Sequence, residues 1–480
     1  MSQQVLQAEP TGLQRLKQSK VISAINRFVE SPWYIAIICL LTVISSTFGG
    51  ELIAYTVMYL SGVYLALFGR DFLPFITVIS CSYLAPSISN NPGRNADSIF
   101  YPQNGGIYLG VLFVLFATSA AIRLIKDPEL GGKRFWKHKR KLMPGFLLLA
   151  ASYLTAGAFS GRFYSNGWMN LAFVLLQIAS YLAFYWFFAG AVKWEKANPN
   201  YFSWFALGIG LTVCCEILNI FLTTDDIIAE SIIHTGKIAS GWGNANNIGC
   251  MAAMTVPLVV GLGQRTRKVW LFGSLSLVII AFVCMTCSRT SIAAAAIGYA
   301  VAMIFALRDA SQRKKLLLFN AMALVLVVIL VIIFHGHLER LFRELLERGL
   351  EPRMREKIYP EGIRTFLKHP IFGEGFYPST DLIYEWANLD QFKSFMPARW
   401  HNTVIQLLAS GGLVAMGCYS FHRIQTIRVL WKQRKTAAIY IGISILTLLL
   451  MSLLDCHFFN FGPPMYYAMA LAFAENIQTK

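Results

Sequence analysis

Long uninterrupted apolar runs constrain this chain more than any other feature. A helix that crosses a bilayer needs about 20 mostly apolar residues. Such stretches recur near 33–49, 51–69, 72–88, 105–125, 142–160, 169–192, 202–222, 244–264, 269–286, 291–307, 316–334, 403–420, 436–454 and 462–476. Of the 480 residues, 56% are hydrophobic and only 14% charged, against roughly a quarter charged in soluble domains. Too few ionic groups remain to cover a globular surface. That excludes a string of soluble domains, a disordered chain, a collagen-like repeat and a small disulfide scaffold. The pattern predicts an all-α polytopic membrane protein with about 14 spans, 12 at the fewest.

The net charge of +17 is explained by where the basic residues sit. With the N-terminus inside, segments 1–32, 126–141, 265–268, 308–315 and 421–435 are cytoplasmic and carry the excess of Lys and Arg, while the outer segments are nearly balanced. This is the positive-inside bias, drawn to anionic headgroups. Membrane lipids are therefore expected partners and nucleic acid is not. The run KRFWKHKRK (133–141) reads as a solvated cytoplasmic loop. No cleavable signal peptide is evident. The polar leader 1–32 is amphipathic through Leu13, Leu16, Val21, Ile22 and Ile25, and is expected to lie on the inner surface. The nine cysteines fall in or beside apolar spans and read as packing residues.

The expected organisation is a leader (1–32), eleven spans (33–334), an extracytoplasmic helical loop (335–402) and three final spans (403–480), with both termini cytoplasmic. Connections as long as the loop are uncommon and usually functional or disordered, and this one is not low-complexity. LERLFRELLERGL (338–350) and MREKIYPEGIRTFLKHP (354–370) both carry apolar residues at helical spacing, and Pro360 is expected to break or kink the second. Amphipathic helices along the outer surface could roof a cavity, which makes this the expected place for chemistry.

Several side chains there suit an anionic substrate. Arg289, in CSRTS at the outer end of a span, either snorkels to headgroups or binds an anion, since its planar fork matches phosphate oxygens in pairs. Arg355 and Arg364 lie in the loop. His401-Asn402 directly precedes a span, and a histidine can take a proton from a hydroxyl. GWGNANNIG (241–249) opens another span; Gly243, Asn244 and Asn246 either start the helix, with Asn244 as its cap, or line a sugar or phosphate site. Glu216 and Asp455-Cys456-His457 are further intramembrane or interfacial ionisable groups. No HExxH, Walker A, GxSxG or paired-carboxylate motif is present, so metal-dependent and soluble-nucleotide chemistry have no recognisable signature and no cofactor is expected.

Four segments in order resemble the O-antigen ligase and polymerase family, bacterial membrane enzymes acting on polyprenyl-diphosphate-linked glycans. GNANNIG resembles a GNPNxxG segment, with Ala245 where proline is usual. SRTSIAAAAIGY resembles an SR segment and contains Arg289. REKIYPEGIRTFLKHPIFGEGF resembles RxxxW followed by HPLxGxGF, placing Arg355 on the family arginine and Tyr359 where tryptophan is common. WHNTVIQLLASGGLVAM resembles an HN segment, with His401, Asn402, Gln406 and Gly412 matching. The resemblance covers about 240–420.

It implies an all-helical, GT-C-like membrane glycosyltransferase with its site on the outer side of the cytoplasmic membrane. Arg289 and Arg355 would hold the donor diphosphate, His401 would be the general base and Asn402 would help orient the acceptor hydroxyl. Arg364, Asn244, Asn246 and Gly243 would line the cavity. No metal is needed if arginines do the work of a divalent cation. The expected partners are a lipid-linked glycan donor, a sugar or lipid-linked acceptor and a chain-length regulator. Repeat-unit polymerisation is the first reading. Ligation to a lipid-A core or other acceptor is the second, and a lipid-linked oligosaccharide flippase is the alternative from another class.

Overall fold

The computed structural model describes residues 19–89, 105–127, 132–160, 167–223, 245–336, 339, 355–376, 399–434, 436–460 and 462–477. Among them the chain is helical and forms no strand. The helices are α1 (Lys20–Val29), α2 (Pro32–Phe48), α3 (Glu51–Phe68), α4 (Phe75–Ser89), α5 (Gly106–Lys126), α6 (Gly132–Lys137), α7 (Met143–Leu154) and α8 (Gly167–Ile178). A π turn, Ala179–Ala183, joins α8 to α9 (Phe184–Ala191). There follow α10 (Tyr201–Thr223), α11 (Ala245–Thr266), α12 (Val269–Met285), α13 (Arg289–Ala306) and α14 (Ala310–Ile333). The last are α15 (Arg355–Lys368), α16 (Thr403–Lys432), α17 (Ala438–Ser452) and α18 (Gly462–Asn476).

Helix occupies each of the 14 expected segments, but among the described residues eight helices are long and apolar enough to cross a bilayer, or nine if the bent pair α1–α2 counts as one span. The chain is a polytopic membrane protein. The shortfall is one of length. Helices such as α7 and α17, with 12 and 15 residues, are apolar but short, and at 1.5 Å per residue they reach about 18 and 23 Å. In contrast, α16 runs for 30 residues, past the expected end of its span near 420, and takes in His422 and Arg423. The latter lies over the Tyr419, Phe458 and Tyr467 rings, 4.1–4.7 Å from their centroids, so aromatic faces replace water around this charge.

The central helix is α11, packed against α10, α12, α13 and α17. Close approach depends on small residues, as in other membrane bundles. A Cβ on Gly261 would lie 2.4 Å from the Tyr440 ring, and one on Gly298 would lie 2.5 Å from Thr447 Oγ1. A second group forms where α16 packs on α7 and α15. At the periphery, α14 leaves a row of Leu, Val and Ile exposed, as a lipid-facing helix should.

Of the leader, α1 is described. It turns 67° from α2, and Asn26 is fastened to the Phe68 carbonyl (2.9 Å), leaving Val21, Ile25 and Phe28 exposed. Leu13 and Leu16 lie outside the described residues, as does nearly all of the expected helix 338–350. The second expected loop helix is present as α15, and it runs unbroken through Pro360. Proline here is the sixth helical residue, so it removes a single bond near the N-terminus, and packing on α16 supports the rest.

Candidate active site

Four helices begin at one place. Asn246 lies in the first turn of α11, Ser288 caps α13, Asn402 caps α16, and Asn460 precedes α18. Hydrogen bonds run between them. Ser288 Oγ donates to Asn246 Oδ1 (2.7 Å), and Asn246 Nδ2 donates to Asp455 Oδ2 (3.0 Å). Asn460 Nδ2 donates to Asn247 Oδ1 (2.6 Å). Helix N-termini carry unpaired N–H groups and partial positive charge, so this convergence favours an anion.

The other oxygen of Asp455, Oδ1, lies 3.2 Å from His401 Nδ1 and also accepts from the Cys456 amide at 2.7 Å. Burial pushes the Asp455 carboxyl up, but the hydrogen bonds from His401 and from the Cys456 amide hold it well below the usual carboxylate range. A carboxylate on Nδ1 fixes the tautomer with its proton there and directs a basic lone pair to Nε2. The Asp455 side chain is 5% exposed and that of His401 36%, so the carboxylate is sequestered while the imidazole reaches the surface. Behind Asp455, burial keeps His457 neutral, its pKa pushed down to about 4.

The backbone of His401 is held in the left-handed region, φ 50°, an uncommon conformation for a residue with a side chain. Its neighbours determine it. Tyr359, on α15, donates its hydroxyl to the His401 carbonyl (3.1 Å). The Trp400 amide donates to Gln406 Oε1 (3.0 Å), and Gln406 in turn donates to Ser410 Oγ (2.9 Å). The Asn402 side chain accepts from the Val404 and Ile405 amides and donates to the Leu453 carbonyl at 2.7 Å. Asn402 thus caps α16 and ties it to the end of α17.

Beneath this segment α16 is broken. Gly412 adopts φ 63°, ψ −160°, and the turn HPIFGEGF lies against the break. Glu374 and Gly375 amides donate to the Ala409 and Ser410 carbonyls (2.8 and 2.9 Å), while Leu413 and Val414 amides donate to the Pro370 and Ile371 carbonyls (2.8 and 3.1 Å). The turn itself is closed by His369 Nε2 and Glu374 Oε2, 2.9 Å apart. Backbone groups freed by the break are satisfied by another backbone, as they must be at membrane depth.

The other sequence candidates fall as follows. Arg289 is the first residue of α13, exposed, beside the network's Ser288. Arg355 begins α15, with its side chain outside the described atoms. Arg364 is exposed and paired with Glu361 on the same helix. Asn246 is in the network; Gly243 and Asn244 lie outside the described residues. Glu216 is fully buried in α10. Asp455 was legible only as an ionisable group near a span end; its pairing with His401 joins residues 54 apart.

Residues 274–420 match a family model described as O-antigen ligase. Over this domain, under a third of the chain, the protein is similar to O-antigen ligases. No curated protein matches the chain. The domain contains Ser288, Arg289, Arg355, His401, Asn402 and Gly412. Asn246 and Asp455, which complete the hydrogen-bonded network, lie on either side of it.

Proposed function

We propose that this protein transfers a polyprenyl-diphosphate-linked glycan to a sugar acceptor at the outer face of the bacterial cytoplasmic membrane, as a repeat-unit polymerase. The observation that carries this reading is the His401–Asp455 pair, joined through Asn246 to the helix start that bears Arg289. His401 Nε2 takes the proton of the acceptor hydroxyl as its oxygen attacks the anomeric carbon. The bond from that carbon to the diphosphate breaks, and the lipid diphosphate leaves with the electron pair. Arg289, Arg355 and the converging helix N-termini stabilise the charge that develops there. Asn402, already engaged in capping, acts by positioning His401. All 14 helical segments would belong to the membrane domain, with both termini inside and the site outside.

Purified protein incubated with a polyprenyl-diphosphate repeat unit should yield a ladder of lengthened products. A single added block, formed only when a separate acceptor such as lipid-A core is supplied, would favour ligation. Export without covalent change would favour a flippase.

Two further outcomes are expected. Arg289→Lys should lower transfer by about 10- to 100-fold, because an ammonium cannot reproduce the two parallel contacts of a guanidinium; unchanged product would leave Arg289 a headgroup anchor. Chelation with EDTA should leave the rate unchanged, whereas loss restored by Mg²⁺ would contradict charge stabilisation by arginines.

A further inference from the structure

We propose that Arg423 is a positioning residue for the base: through the Phe458 ring it fixes the turn that follows Asp455, and with it the carboxylate that faces His401. This rests on the reading of His401 as base and Asp455 as its orienting partner, but neither the family resemblance nor the expected site residues include Arg423.

Arg423 is a charge without an acid. It lies in α16, a helix long and apolar enough to cross a bilayer. Its Nε and Nη1 are buried with no hydrogen-bond partner, and among the described residues no carboxylate pairs with it. A cation so placed is costly, and an apolar chain of similar length would fill the space without that cost. What the guanidinium meets instead is ring faces: Phe458 at 4.1 Å, Tyr419 at 4.4 Å and Tyr467 at 4.7 Å from their centroids. The Phe458 and Tyr467 rings also touch each other, 5.2 Å apart. Tyr419 belongs to the same helix as Arg423 and Tyr467 to α18, whereas Phe458 lies in the turn His457–Phe459 between α17 and α18. Attraction of a cation to a ring is strongest out of water, so the nearest ring ties this turn to α16.

The turn leads straight to the carboxylate. The Phe459 amide donates to the Cys456 carbonyl (2.9 Å), and the Cys456 amide donates to Asp455 Oδ1 (2.7 Å). His457 adds no side-chain anchor, since both of its ring nitrogens are buried without a partner. Gln177, from α8, holds the Phe459 carbonyl at 3.0 Å. The remaining holds come from α16, on both sides of its break at Gly412. Before the break, His401 faces Asp455 and Asn402 donates to the Leu453 carbonyl. After it, Arg423 grips Phe458. A shift of Phe458 would therefore move Asp455 relative to the imidazole it must orient.

The test uses the full-length protein in detergent and three readouts. These are glycan transfer from a polyprenyl-diphosphate repeat unit, the thermal transition, and the rate at which diethyl pyrocarbonate modifies His401, followed by mass spectrometry of its peptide. Arg423→Met should keep a folded transition, lower kcat at least about tenfold and leave the donor KM within about twofold. On an Asp455→Asn background the same change should cost less than about twofold more, because the carboxylate it positions is already gone. Arg423→Met and Asp455→Asn should each slow modification of His401 at least about threefold, as Nε2 loses the carboxylate that makes it basic. Wild-type kcat in folded Arg423→Met, or a loss that multiplies with that of Asp455→Asn, would overturn the assignment while the base reading stands. Wild-type transfer by Asp455→Asn would overturn the base reading, and this assignment with it. If the wild-type protein makes no product, the transfer reading fails and the modification rate decides: an unchanged rate in Arg423→Met overturns the assignment, and a slowed one supports it. Should Arg423→Met lose its folded transition, Phe458→Leu, which keeps the cation and the other two rings, decides by the same comparisons.

Discussion

Asp455→Asn should reduce glycan transfer by about 10²–10⁴-fold, the range that correct general-base placement supplies, while the protein stays folded and in the membrane. The carboxylate accepts from three groups: His401 Nδ1, the Cys456 amide and Asn246 Nδ2. An amide at 455 can face His401 with its NH₂, which stabilises the tautomer carrying its proton on Nε2. That imidazole cannot accept the acceptor's proton. In serine hydrolases the same change of an orienting aspartate costs about 10⁴. The pH dependence follows from the direction of the Asp455 shift. Because its native pKa is depressed, its contribution to stability is complete above the unfolded value, about 3.9. That contribution is lost only as pH falls through the depressed native value. Between pH 5 and 9 the carboxylate stays charged, so any acid limb of a pH–rate profile in that range comes from another group. A variant with wild-type rate across this range would remove Asp455 from the mechanism.

Gly412→Ala should abolish activity by a different route. Here φ is 63° with ψ −160°, a region essentially confined to glycine, and occupying it with a side chain costs about 1–3 kcal/mol. The added Cβ would also lie 2.3 Å from the Ile371 carbonyl oxygen and 2.7 Å from the Gly373 amide nitrogen. These are backbone atoms and cannot swing aside, so the turn must leave the helix break. Doing so would expose the amides and carbonyls of Ala409, Ser410, Leu413 and Val414 that the turn now satisfies. Low yield of extracted protein, or a lowered thermal midpoint with no transfer, is the expected outcome. Gly417→Ala, on the same helix with nothing within 4 Å of the new Cβ, should be tolerated. Equal behaviour of the two variants would mean that the broken helix is not required.

Much of this architecture is written in local pattern. Apolar runs located a helix in each of the 14 expected segments because burial and lipid exposure both demand the same residues, and α18 spans Gly462–Asn476 as its apolar stretch does. Lengths were less legible. Hydropathy falls at Phe421–His422–Arg423, yet α16 continues because ring faces accept the Arg423 charge, a tertiary effect. Pro360 was expected to interrupt its helix, but support from α16 outweighs one lost bond.

The site divides the same way. His401, Asn402 and Arg289 stand out because they interrupt apolar sequence at span ends. What His401 needs in order to act as a base comes from Asp455, 54 residues on, and from Tyr359, 42 residues earlier. No local periodicity encodes such meetings. The glycines of HPIFGEGF and ASGG likewise read as separate turns, and only the fold reveals them as two halves of one contact.

The most direct test of the account is one assay on purified wild-type protein and His401→Ala, supplied with a lipid-diphosphate glycan donor and an acceptor sugar, in which donor binding and release of free lipid diphosphate are both measured. The account predicts that both proteins bind the donor alike and that only the wild type releases the lipid carrier with a lengthened glycan. Release by His401→Ala at the wild-type rate would contradict it.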